Sequence, residues 1–527
     1  MKSENEIKGI HIPTQMMTEE YIDKIQDNSH MSWRGYTIPK NILSQDDLED
    51  LRKCLSIAPI EGFGMKRAPN QKSNKIILMR ENEKKIYIPR FFGVARYGNP
   101  VNWDLSDGEN IHVPFIKPIR DYQENIVNTY LDYVKNEEEI GNGGILEVPC
   151  GRGKTVMALA ICSRLGKKTL IIVHKEFLMN QWIERIQEFM PTAKVGVIQG
   201  KRFEIEGNDI VIGMIQTMYD RNYEPDTFGA FGLTIIDEVH RIGSEEFSKT
   251  LGKVCTPYML GISATVDRKD GLTEIIYMYI GNKIYSEERD STDGVQVRSI
   301  QFAYVDQFDH KHDAEYNEIE YDYRGNIKFS TMINKICAFP PRRRFLVKVL
   351  SDLIDEDSEK QIMVLCHKRD VLCYLQEEID KVGFATCGLY VGGMKKEALQ
   401  ETETKQIVLA TYAMAAEALD IKTLNTLVMV TPKTDIVQSV GRILRTKSDS
   451  KIIVDIVDSH DVFQNQWKKR RAFYRKSDYD IKMIKNDTYK DMSDMSLWKS
   501  VKEKSGSKKQ TKCLIEIPPS LSDNQLI

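Results

Sequence analysis

The segment GGILEVPCGRGKT, residues 143–155, decides which fold this sequence can adopt. Its first half is an apolar run without polar alternation, which is typical of a strand buried on both faces of a parallel sheet. Its second half is rich in glycine and leads into the helical pattern VMALAICSRL, residues 156–165. A strand, a glycine-rich loop and a helix in this order predict a phosphate-binding loop in an α/β domain.

Each residue type in the loop suits the binding of ATP. Gly151 and Gly153 let backbone N–H groups approach phosphate oxygens at a helix N-terminus, which favours anions. Lys154 is expected to reach the β- and γ-phosphates, and the Thr155 hydroxyl to bind Mg²⁺. The strict pattern has glycine where this chain has Val148. The residues predicted to bind ATP here are Pro149, Cys150, Gly151, Arg152, Gly153, Lys154 and Thr155.

A second motif, IIDEVH at residues 235–240, supplies the carboxylates that a phosphate loop requires. We predict that Asp237 binds Mg²⁺ and that Glu238 polarises the attacking water as a general base. An acidic pair after a strand can instead cap the next helix. Because the pair lies 83 residues after Lys154 in the same α/β pattern, we favour the catalytic interpretation.

Two further motifs follow in chain order. GISAT, residues 261–265, ends another apolar run and offers the hydroxyls of Ser263 and Thr265. QSVGRILR, residues 438–445, places Arg442 and Arg445 on one face of a helix, where they could stabilise transition-state charge on a triphosphate. Two such arginines can also form a solvated face. The catalytic interpretation implies an ATP site divided between two domains.

The pattern of apolar runs and helices predicts two α/β domains in tandem. Short apolar runs alternate with helical segments from about residue 112 to 283, and a second series extends from about 340 to 460. The predicted units are an N-terminal α+β module at 1–111, an ATP-binding domain at 112–283, a connecting extension at 284–338, a C-terminal α/β domain at 339–476 and a basic, partly flexible tail at 477–527.

Two basic segments outside these motifs allow more than one interpretation. In RFFGVARY, residues 90–97, two arginines and three aromatic residues could grip a nucleic acid, or they could form a half-buried strand whose arginines extend to solvent. In the C-terminal domain, residues 468–471 read KKRR and could neutralise phosphates or form a solvated helix face. The sequence leaves both pairs of alternatives open.

Composition restricts the class of protein. The 527 residues include 41% hydrophobic and 29% charged residues, and the net charge is −3, which excludes a globally basic binder. Nine single cysteines without a CxxC pair argue against a disulfide framework or a zinc ribbon. No apolar run approaches the roughly 18 residues of a membrane span. We therefore expect a reduced, soluble, intracellular, multidomain protein.

As an ordered set, RDYQ at 120–123, PCGRGKT, DEVH, SAT and QSVGRILR resemble the superfamily 2 helicases, which have tandem RecA-like domains. The resemblance extends from Pro118 to Lys476. DEVH followed by GISATVDRKDG is most similar to the XPB and phage UvsW branch, and IPRFFG with the compact length is similar to helicases of large cytoplasmic DNA viruses. Viral origin would imply the host cytoplasm, in virus factories, and the virion.

The resemblance implies further site residues. Gln123, with Arg120 nearby, matches the glutamine that reads adenine, and Gln438 belongs to the arginine motif. The residues that match the coupling of hydrolysis to strand movement are His240, Ser263, Ala264, Thr265 and Asp420. Those that match contacts to the nucleic-acid backbone are His174, Lys175, Gln216, Thr217, Lys368 and Thr411. Ala418 and Val266 depart from the glycine and proline usual in the family.

The predicted function is an ATP- and Mg²⁺-dependent helicase or translocase. The resemblance implies DNA and 3′–5′ polarity, with the transcription or replication machinery as a partner and no membrane. Four alternatives stay open: an RNA helicase or transcript-release factor, the motor subunit of a nuclease complex, a regulatory protein with an inactive ATP site, and a transporter or signalling ATPase. The complete set of ATP-site residues disfavours the regulatory protein, and nothing membrane-directed supports the transporter.

Overall fold

The fold is taken from a computed structural model that describes residues 17–59, 75–135, 142–149, 151–241, 245–268, 271–287, 294–305, 310–417, 421, 423–434, 436, 440 and 451–501. Two parallel sheets dominate it, as the runs of apolar residues predict. We call residues 17–287 the first unit and residues 294–501 the second unit, because each contains one of these sheets.

The first unit begins with a small α+β module. Its helices are α1 (Glu19–Asn28), α2 (Gln45–Cys54) and α3 (Arg90–Tyr97). Its strands are β1 (His30–Ser32), β2 (Gly35–Pro39), β3 (Ser56–Ile57), β4 (Ile76–Ile77), β5 (Arg80–Glu81), β6 (Lys85–Ile88) and β7 (Asn102–Trp103). Five strands form a sheet in the order β5-β6-β2-β1-β7, and β3 pairs with β4. Thr18 and Ser44 cap α1 and α2 by accepting backbone N–H groups.

Residues 90–97 form helix α3, so both interpretations of this segment are wrong. The segment is neither a strand nor an exposed surface that could bind a nucleic acid. Phe91, Phe92 and Tyr97 are almost completely buried. The Arg96 guanidinium is buried too and donates to the carboxylates of Asp47, at 2.5 Å, and Asp50, at 2.8 Å. The arginine is therefore a structural group, because its charge is paired inside the module.

The module shares its hydrophobic core with the α/β domain that follows. Phe91 and Val94 on α3 belong to the same cluster of buried residues as Ile145 and Ile276. The Arg90 guanidinium donates to the backbone carbonyls of Thr256 and Pro257, each at 2.8 Å. The hydrophobic core is thus continuous across the predicted domain boundary at residue 111.

The first large sheet has eight strands in the order β11-β10-β12-β9-β13-β14-β8-β15. Its strands are β8 (Gly143–Glu147), β9 (Thr169–Val173), β10 (Val195–Gln199), β11 (Arg202–Phe203), β12 (Ile210–Met214), β13 (Leu233–Asp237), β14 (Tyr258–Ser263) and β15 (Asn282–Ser286). The helices are α4 (Asp121–Lys135), α5 (Lys154–Leu165), α6 (Glu176–Phe189), α7 (Ile215–Asp220), α8 (Glu245–Leu251) and α9 (Thr273–Ile280). All pairs are parallel except β10 with β11.

The second unit contains another eight-stranded sheet, in the order β18-β19-β17-β20-β21-β16-β22-β23. Its strands are β16 (Val295–Phe302), β17 (Ile362–Cys366), β18 (Cys387–Tyr390), β19 (Ile407–Thr411), β20 (Thr426–Met429), β21 (Lys451–Asp458), β22 (Asp480–Lys485) and β23 (Lys499–Ser500). The helices are α10 (His310–Asn317), α11 (Phe329–Ala338), α12 (Pro340–Glu356), α13 (Arg369–Val382), α14 (Lys396–Glu403), α15 (Tyr412–Glu417) and α16 (Asp461–Lys476).

The strands of this sheet extend beyond the predicted boundaries of the C-terminal α/β domain. Strand β16 lies in the segment predicted to be a connecting extension, and β22 and β23 lie in the predicted tail. Both neighbours of β16 run parallel to it over six to eight residue pairs, so the strand is central to the sheet. The sequence conceals this strand, because β16 mixes polar residues with its apolar ones and a largely polar stretch follows it.

Helix α16 contains the basic segment 468–471, and its members differ in exposure. Arg470 is buried and donates to both carboxylate oxygens of Asp455, at 2.7 and 2.9 Å. Tyr474 donates to the same carboxylate at 3.1 Å. Arg470 therefore holds α16 on β21 and is not part of a solvated face. Among the described helices, none is both long enough and apolar enough to cross a membrane.

Candidate ATP site

The phosphate loop connects β8 to α5 as the sequence predicts. Gly151 and Gly153 have φ values of 86° and 82°, in the region that favours glycine. A Cβ atom on Gly153 would lie 2.4 Å from Nε2 of Gln123. Glycine is thus required at position 153 by both the backbone and the neighbouring side chain. The Lys154 ammonium, at the start of α5, donates to the carbonyl of Val148 at 3.3 Å.

Gln123, on α4, is positioned against this loop. Its Nε2 donates to the carbonyl of Arg152 at 2.8 Å, and its Oε1 accepts the backbone N–H of Arg120 at 3.0 Å. The Tyr122 hydroxyl donates to the same Arg152 carbonyl at 3.1 Å. The Arg152 guanidinium stacks on the Tyr122 ring at 4.1 Å and pairs with Glu287. Tyr122 and Glu287 are site residues that the motifs did not identify.

Asp237 lies at the carboxyl end of β13 and is almost completely buried. The indole N–H of Trp182, on α6, donates to its Oδ2 at 2.9 Å. Burial raises the pKa of Asp237, and the charge of Glu238 raises it further, whereas Trp182 and the Lys154 ammonium oppose the rise. A buried carboxylate of this kind suits a divalent cation, because the ion compensates the charge. Sequence reasoning missed Trp182, since a tryptophan on an amphipathic helix is ordinarily a core residue.

Glu238 follows in a strained backbone conformation. Its φ of 54° is rare for a residue other than glycine and costs about 1–3 kcal/mol. Burial raises its pKa, but His240 and Lys154 outweigh burial and leave the pKa below its usual range. Among the described residues, Oε2 of Glu238 accepts no hydrogen bond of good geometry. The low pKa means that the Glu238 carboxylate is ionised near neutral pH.

His240 connects Glu238 to the SAT segment. Its Nδ1 lies 3.2 Å from Oε2 of Glu238 and 3.1 Å from the Ser263 hydroxyl. That hydroxyl donates to the carbonyl of Thr265 at 2.6 Å. The carbonyl of Ser263 accepts the backbone N–H of Val148 at 2.9 Å, so β14 also meets the start of the phosphate loop. Ala264 lies between these hydroxyl residues.

Glu147, the last residue of β8, fixes the segment after SAT. Its carboxylate accepts the backbone N–H of Val266 at 2.8 Å, the Lys283 ammonium at 2.8 Å and the Ser286 hydroxyl at 2.7 Å. Val266 can make this bond because it has the N–H that the proline usual at this position lacks. The departure from the family pattern therefore contributes a contact of its own.

The residues predicted to contact nucleic acid follow strands of the two sheets. His174 and Lys175 follow β9, and Gln216 is the second residue of α7, which begins directly after the neighbouring β12. Nε2 of Gln216 donates to the carbonyl of His174 at 3.0 Å. The Thr217 hydroxyl accepts the backbone N–H of Gly200 at 3.0 Å. The carboxyl ends of adjacent parallel strands share one edge of a sheet, and ligands commonly bind at that edge.

The second sheet repeats this arrangement. Thr411 ends β19, and Lys368 follows the adjacent β17. Directly before Lys368, Nδ1 of His367 lies 2.8 Å from the hydroxyl of Thr431, which follows β20 on the other side of β17. Burial lowers the pKa of His367 to about 4. Five predicted residues lie outside the described part of the chain, namely Cys150, Asp420, Gln438, Arg442 and Arg445.

Comparison with known proteins agrees with this geometry. Residues 116–268 match the family described as the res subunit of type III restriction enzymes, and residues 345–447 match the helicase conserved C-terminal domain. The chain is 33% identical over 459 residues to L396 of Acanthamoeba polyphaga mimivirus, which is named as an ATP-dependent RNA helicase; the match covers 85% of each chain.

Two other relatives extend the comparison. QP509L of African swine fever virus, also named as an ATP-dependent RNA helicase, is 27% identical over 362 residues, which is 64% of this chain and 68% of that one. The DNA 3′-5′ translocase XPB2 of Sulfurisphaera tokodaii is 34% identical over 182 residues, or 34% of this chain and 38% of that one. With its two RecA-like parallel sheets and its ATP-site motifs in order, the chain belongs to the superfamily 2 ATP-dependent helicases found in large DNA viruses.

Proposed function

We propose that this helicase is a motor that moves 3′–5′ along one strand of DNA and thereby displaces the paired strand. The observation that carries the proposal is the position of His240, whose Nδ1 is within 3.2 Å of both Glu238 and Ser263. One ring nitrogen cannot make two full hydrogen bonds with one proton. If the contact between Glu238 and His240 changed during hydrolysis, the contact between His240 and Ser263 would therefore change as well. The SAT segment, which contains Ser263, would respond to that change.

The ATP site has the groups that hydrolysis needs. Lys154 would bind the phosphates, and the Thr155 hydroxyl with the Asp237 carboxylate would bind Mg²⁺, an ion that prefers oxygen ligands. The bound ion would neutralise charge on the phosphates. Glu238, which is ionised, would orient the attacking water and accept its proton. Gln123, with Arg120, would bind adenine, and Gln438, Arg442 and Arg445 would contact the triphosphate from the second unit.

Movement along a strand would use the sheet edges described above. His174, Lys175, Gln216 and Thr217 on the first sheet, and Lys368 and Thr411 on the second, would contact the nucleic-acid backbone. Asp420 would join His240, Ser263, Ala264 and Thr265 in coupling. The bond between Gln216 and the His174 carbonyl supports a common role, because it ties two of these segments together. Phosphate and sugar contacts carry no sequence information, which suits a motor.

The choice of DNA rests on one relative, the XPB2 translocase. The 34% identity to a DNA 3′-5′ translocase falls within a region of 182 residues. A second candidate is an RNA helicase, which the names of the mimivirus and African swine fever virus relatives favour. Both use the same ATP site, so only the polymer distinguishes them.

The test is ATP hydrolysis by the full chain with single-stranded DNA, duplex DNA or single-stranded RNA of equal length, with Lys154→Ala as the blank. We expect single-stranded DNA to stimulate hydrolysis at least tenfold, and the chain to displace streptavidin from the 5′ end of a biotinylated strand. Stimulation by RNA alone would establish the second candidate instead. Hydrolysis that no polymer changes would contradict both.

A further inference from the structure

A groove of about 560 Å³ lies where the N-terminal module meets helices α7 and α8. Arg80 from β5, Lys249 from α8 and Lys253 after α8 line it, together with the rings of Tyr219 and Tyr279. A smaller cavity shares Arg80 and Gly252 with this groove and adds Arg34 and Arg90, of which Arg90 donates to the carbonyls of Thr256 and Pro257. None of the motifs of the ATP site lies among these residues, so the groove has no assigned role.

The groove carries more positive than negative charge. Five cations line the groove and the adjoining cavity, namely Arg34, Arg80, Arg90, Lys249 and Lys253, whereas Asp220 is the carboxylate that lines the groove. Glu245 pairs with Lys249 at 2.6 Å. In the described part of the chain, no carboxylate forms an ion pair with Arg34, Arg80 or Lys253. Burial lowers the pKa of Arg80, and the charge of Arg34 lowers it further. Burial and the charges of Arg80 and Lys249 lower the pKa of Lys253, whereas the charge of Asp220 opposes them. The like charges repel one another, and an anion would relieve that repulsion.

The cations are fixed in place by contacts of their own. The Lys253 ammonium donates to the carbonyls of Met218, Tyr219 and Arg221, at 3.1, 2.6 and 2.8 Å, and thus closes the end of α7. The Arg80 guanidinium donates to the carbonyl of Gly252. The preorganised charges lose little entropy when an anion binds.

Aromatic rings accompany the charges. Arg34 stacks on Trp33 at 4.6 Å and on Tyr87 at 5.0 Å, and Lys249 lies 5.3 Å from the Tyr219 ring. Basic groups interleaved with half-exposed rings are typical of surfaces that bind nucleic acid, where rings contact sugars or bases and cations contact phosphates.

Helix α7 connects this groove to the residues of the first sheet that are predicted to contact nucleic acid. Gln216 and Thr217 stand at its beginning, and Tyr219 and Asp220, which line the groove, stand at its end. A six-residue helix is about 9 Å long, which corresponds to about two to three nucleotides at about 3.4 Å each along one strand. A strand that contacts Gln216 would therefore reach the groove within about two or three further phosphates.

We propose that the groove between the N-terminal module and helices α7 and α8 binds the phosphate backbone of the nucleic acid beyond the contacts of the motor domains. The proposal rests on the proposed function, since it names a second contact for the same polymer. The N-terminal module would then help to bind the nucleic acid, with Arg34, Arg80 and Lys249 as the binding cations.

The test measures binding of a labelled oligonucleotide to the full chain by fluorescence anisotropy, without nucleotide, over a series of salt concentrations. Lys249→Glu is the first variant, because this side chain is 52% exposed and its loss leaves the core intact. Lys381→Glu is the matched control: it makes the same charge change on an exposed lysine of α13 that pairs with Glu378 on its own helix. Arg34→Gln is the second variant, and thermal melting checks that all three are folded.

We expect Lys249→Glu to weaken binding about tenfold and to reduce the slope of log affinity against log salt by about 1, with Arg34→Gln in the same direction. Lys381→Glu should leave both quantities unchanged, and basal hydrolysis without polymer should stay at the wild-type rate in all three. Unchanged affinity and slope in both groove variants would overturn the groove proposal alone. A wild-type chain that binds no oligonucleotide would overturn the proposed function, and the groove proposal with it. Tripolyphosphate could also bind at the groove while neither groove variant changes oligonucleotide binding. That result would indicate that the groove binds a free phosphate ligand, and it would contradict the proposal.

Discussion

At the scale of single residues, the ATP site depends on one contact that no motif contains. The sequence predicts Asp237 and Glu238, because acids after a buried strand follow a general rule. It does not predict Trp182, which is 55 residues away and meets Asp237 only when α6 packs beside β13. The hydrogen bond stabilises the ionised carboxylate, so Trp182 determines how readily Asp237 can bind a cation.

Replacing Trp182 by Phe tests this dependence. The variant keeps an aromatic ring in the core but removes the N–H, so the pKa of Asp237 should rise further above its usual value. Below that pKa the carboxyl is protonated and cannot bind Mg²⁺, so hydrolysis is lost as the pH falls. Since a hydrogen bond to a charged group contributes about 1.5–3 kcal/mol, the acidic limb of the pH–rate profile should move up by about one unit or more.

The measurement is the rate of hydrolysis between pH 5 and 8 at two Mg²⁺ concentrations. Higher Mg²⁺ should restore the rate of Trp182→Phe on the acidic side, because the cation competes with the proton. A uniform loss of rate at every pH would show that the indole acts only through packing. Trp498→Phe, in the second unit, serves as the control, since this buried indole N–H has no hydrogen-bond partner among the described residues and its hydrophobic cluster contains no residue of the ATP-site motifs.

At the scale of secondary-structure elements, the parallel strands were predictable and helix α3 was not. The run IVIGM is apolar along its whole length, LTIID is apolar apart from Thr234 and the final Asp237, and every residue of β12 and β13 is buried. The segment RFFGVARY mixes arginines with aromatics and fits a strand equally well. Its structure follows from partners that sequence patterns do not reveal: Arg96 pairs with Asp47 on α2, 49 residues away.

The packing of α3 leads to a prediction about Gly93. A Cβ atom at this position would lie 2.4 Å from the ring of Tyr36 on β2, so the helix or the ring would have to move. We expect Gly93→Ala to lower the free energy of unfolding by about 1–3 kcal/mol, as overpacking in a core does. Urea unfolding followed by circular dichroism measures this.

Gly392→Ala is the control for the same chemical change. A Cβ atom on Gly392 would have no atom within 4 Å, and its φ is not positive. The free energy of unfolding should therefore change by no more than about 0.5 kcal/mol. If the two substitutions changed the free energy of unfolding equally, backbone entropy and not the contact with Tyr36 would be responsible for the change.

At the scale of the whole molecule, the order of motifs predicts two sheets but not their extent. The first unit continues the core of the N-terminal module through α3 and α9, and the second sheet draws β16 and β22 from segments that look polar in the sequence. Such pairings depend on long-range register, which periodicity within a segment cannot report. In the described residues, no hydrophobic cluster contains members of both units.

Separate cores predict separate unfolding of the two units. Arg470→Met removes one partner of the buried pair with Asp455 and leaves a carboxylate without compensation, which costs about 3–5 kcal/mol. Differential scanning calorimetry of the full chain should show two transitions. Arg470→Met should lower the transition of the second unit and leave the other in place, whereas Gly93→Ala should lower only the transition of the first unit. If each substitution moved the same single transition, the two units would unfold as one, and independent cores would not be a sufficient description of the stability of this helicase.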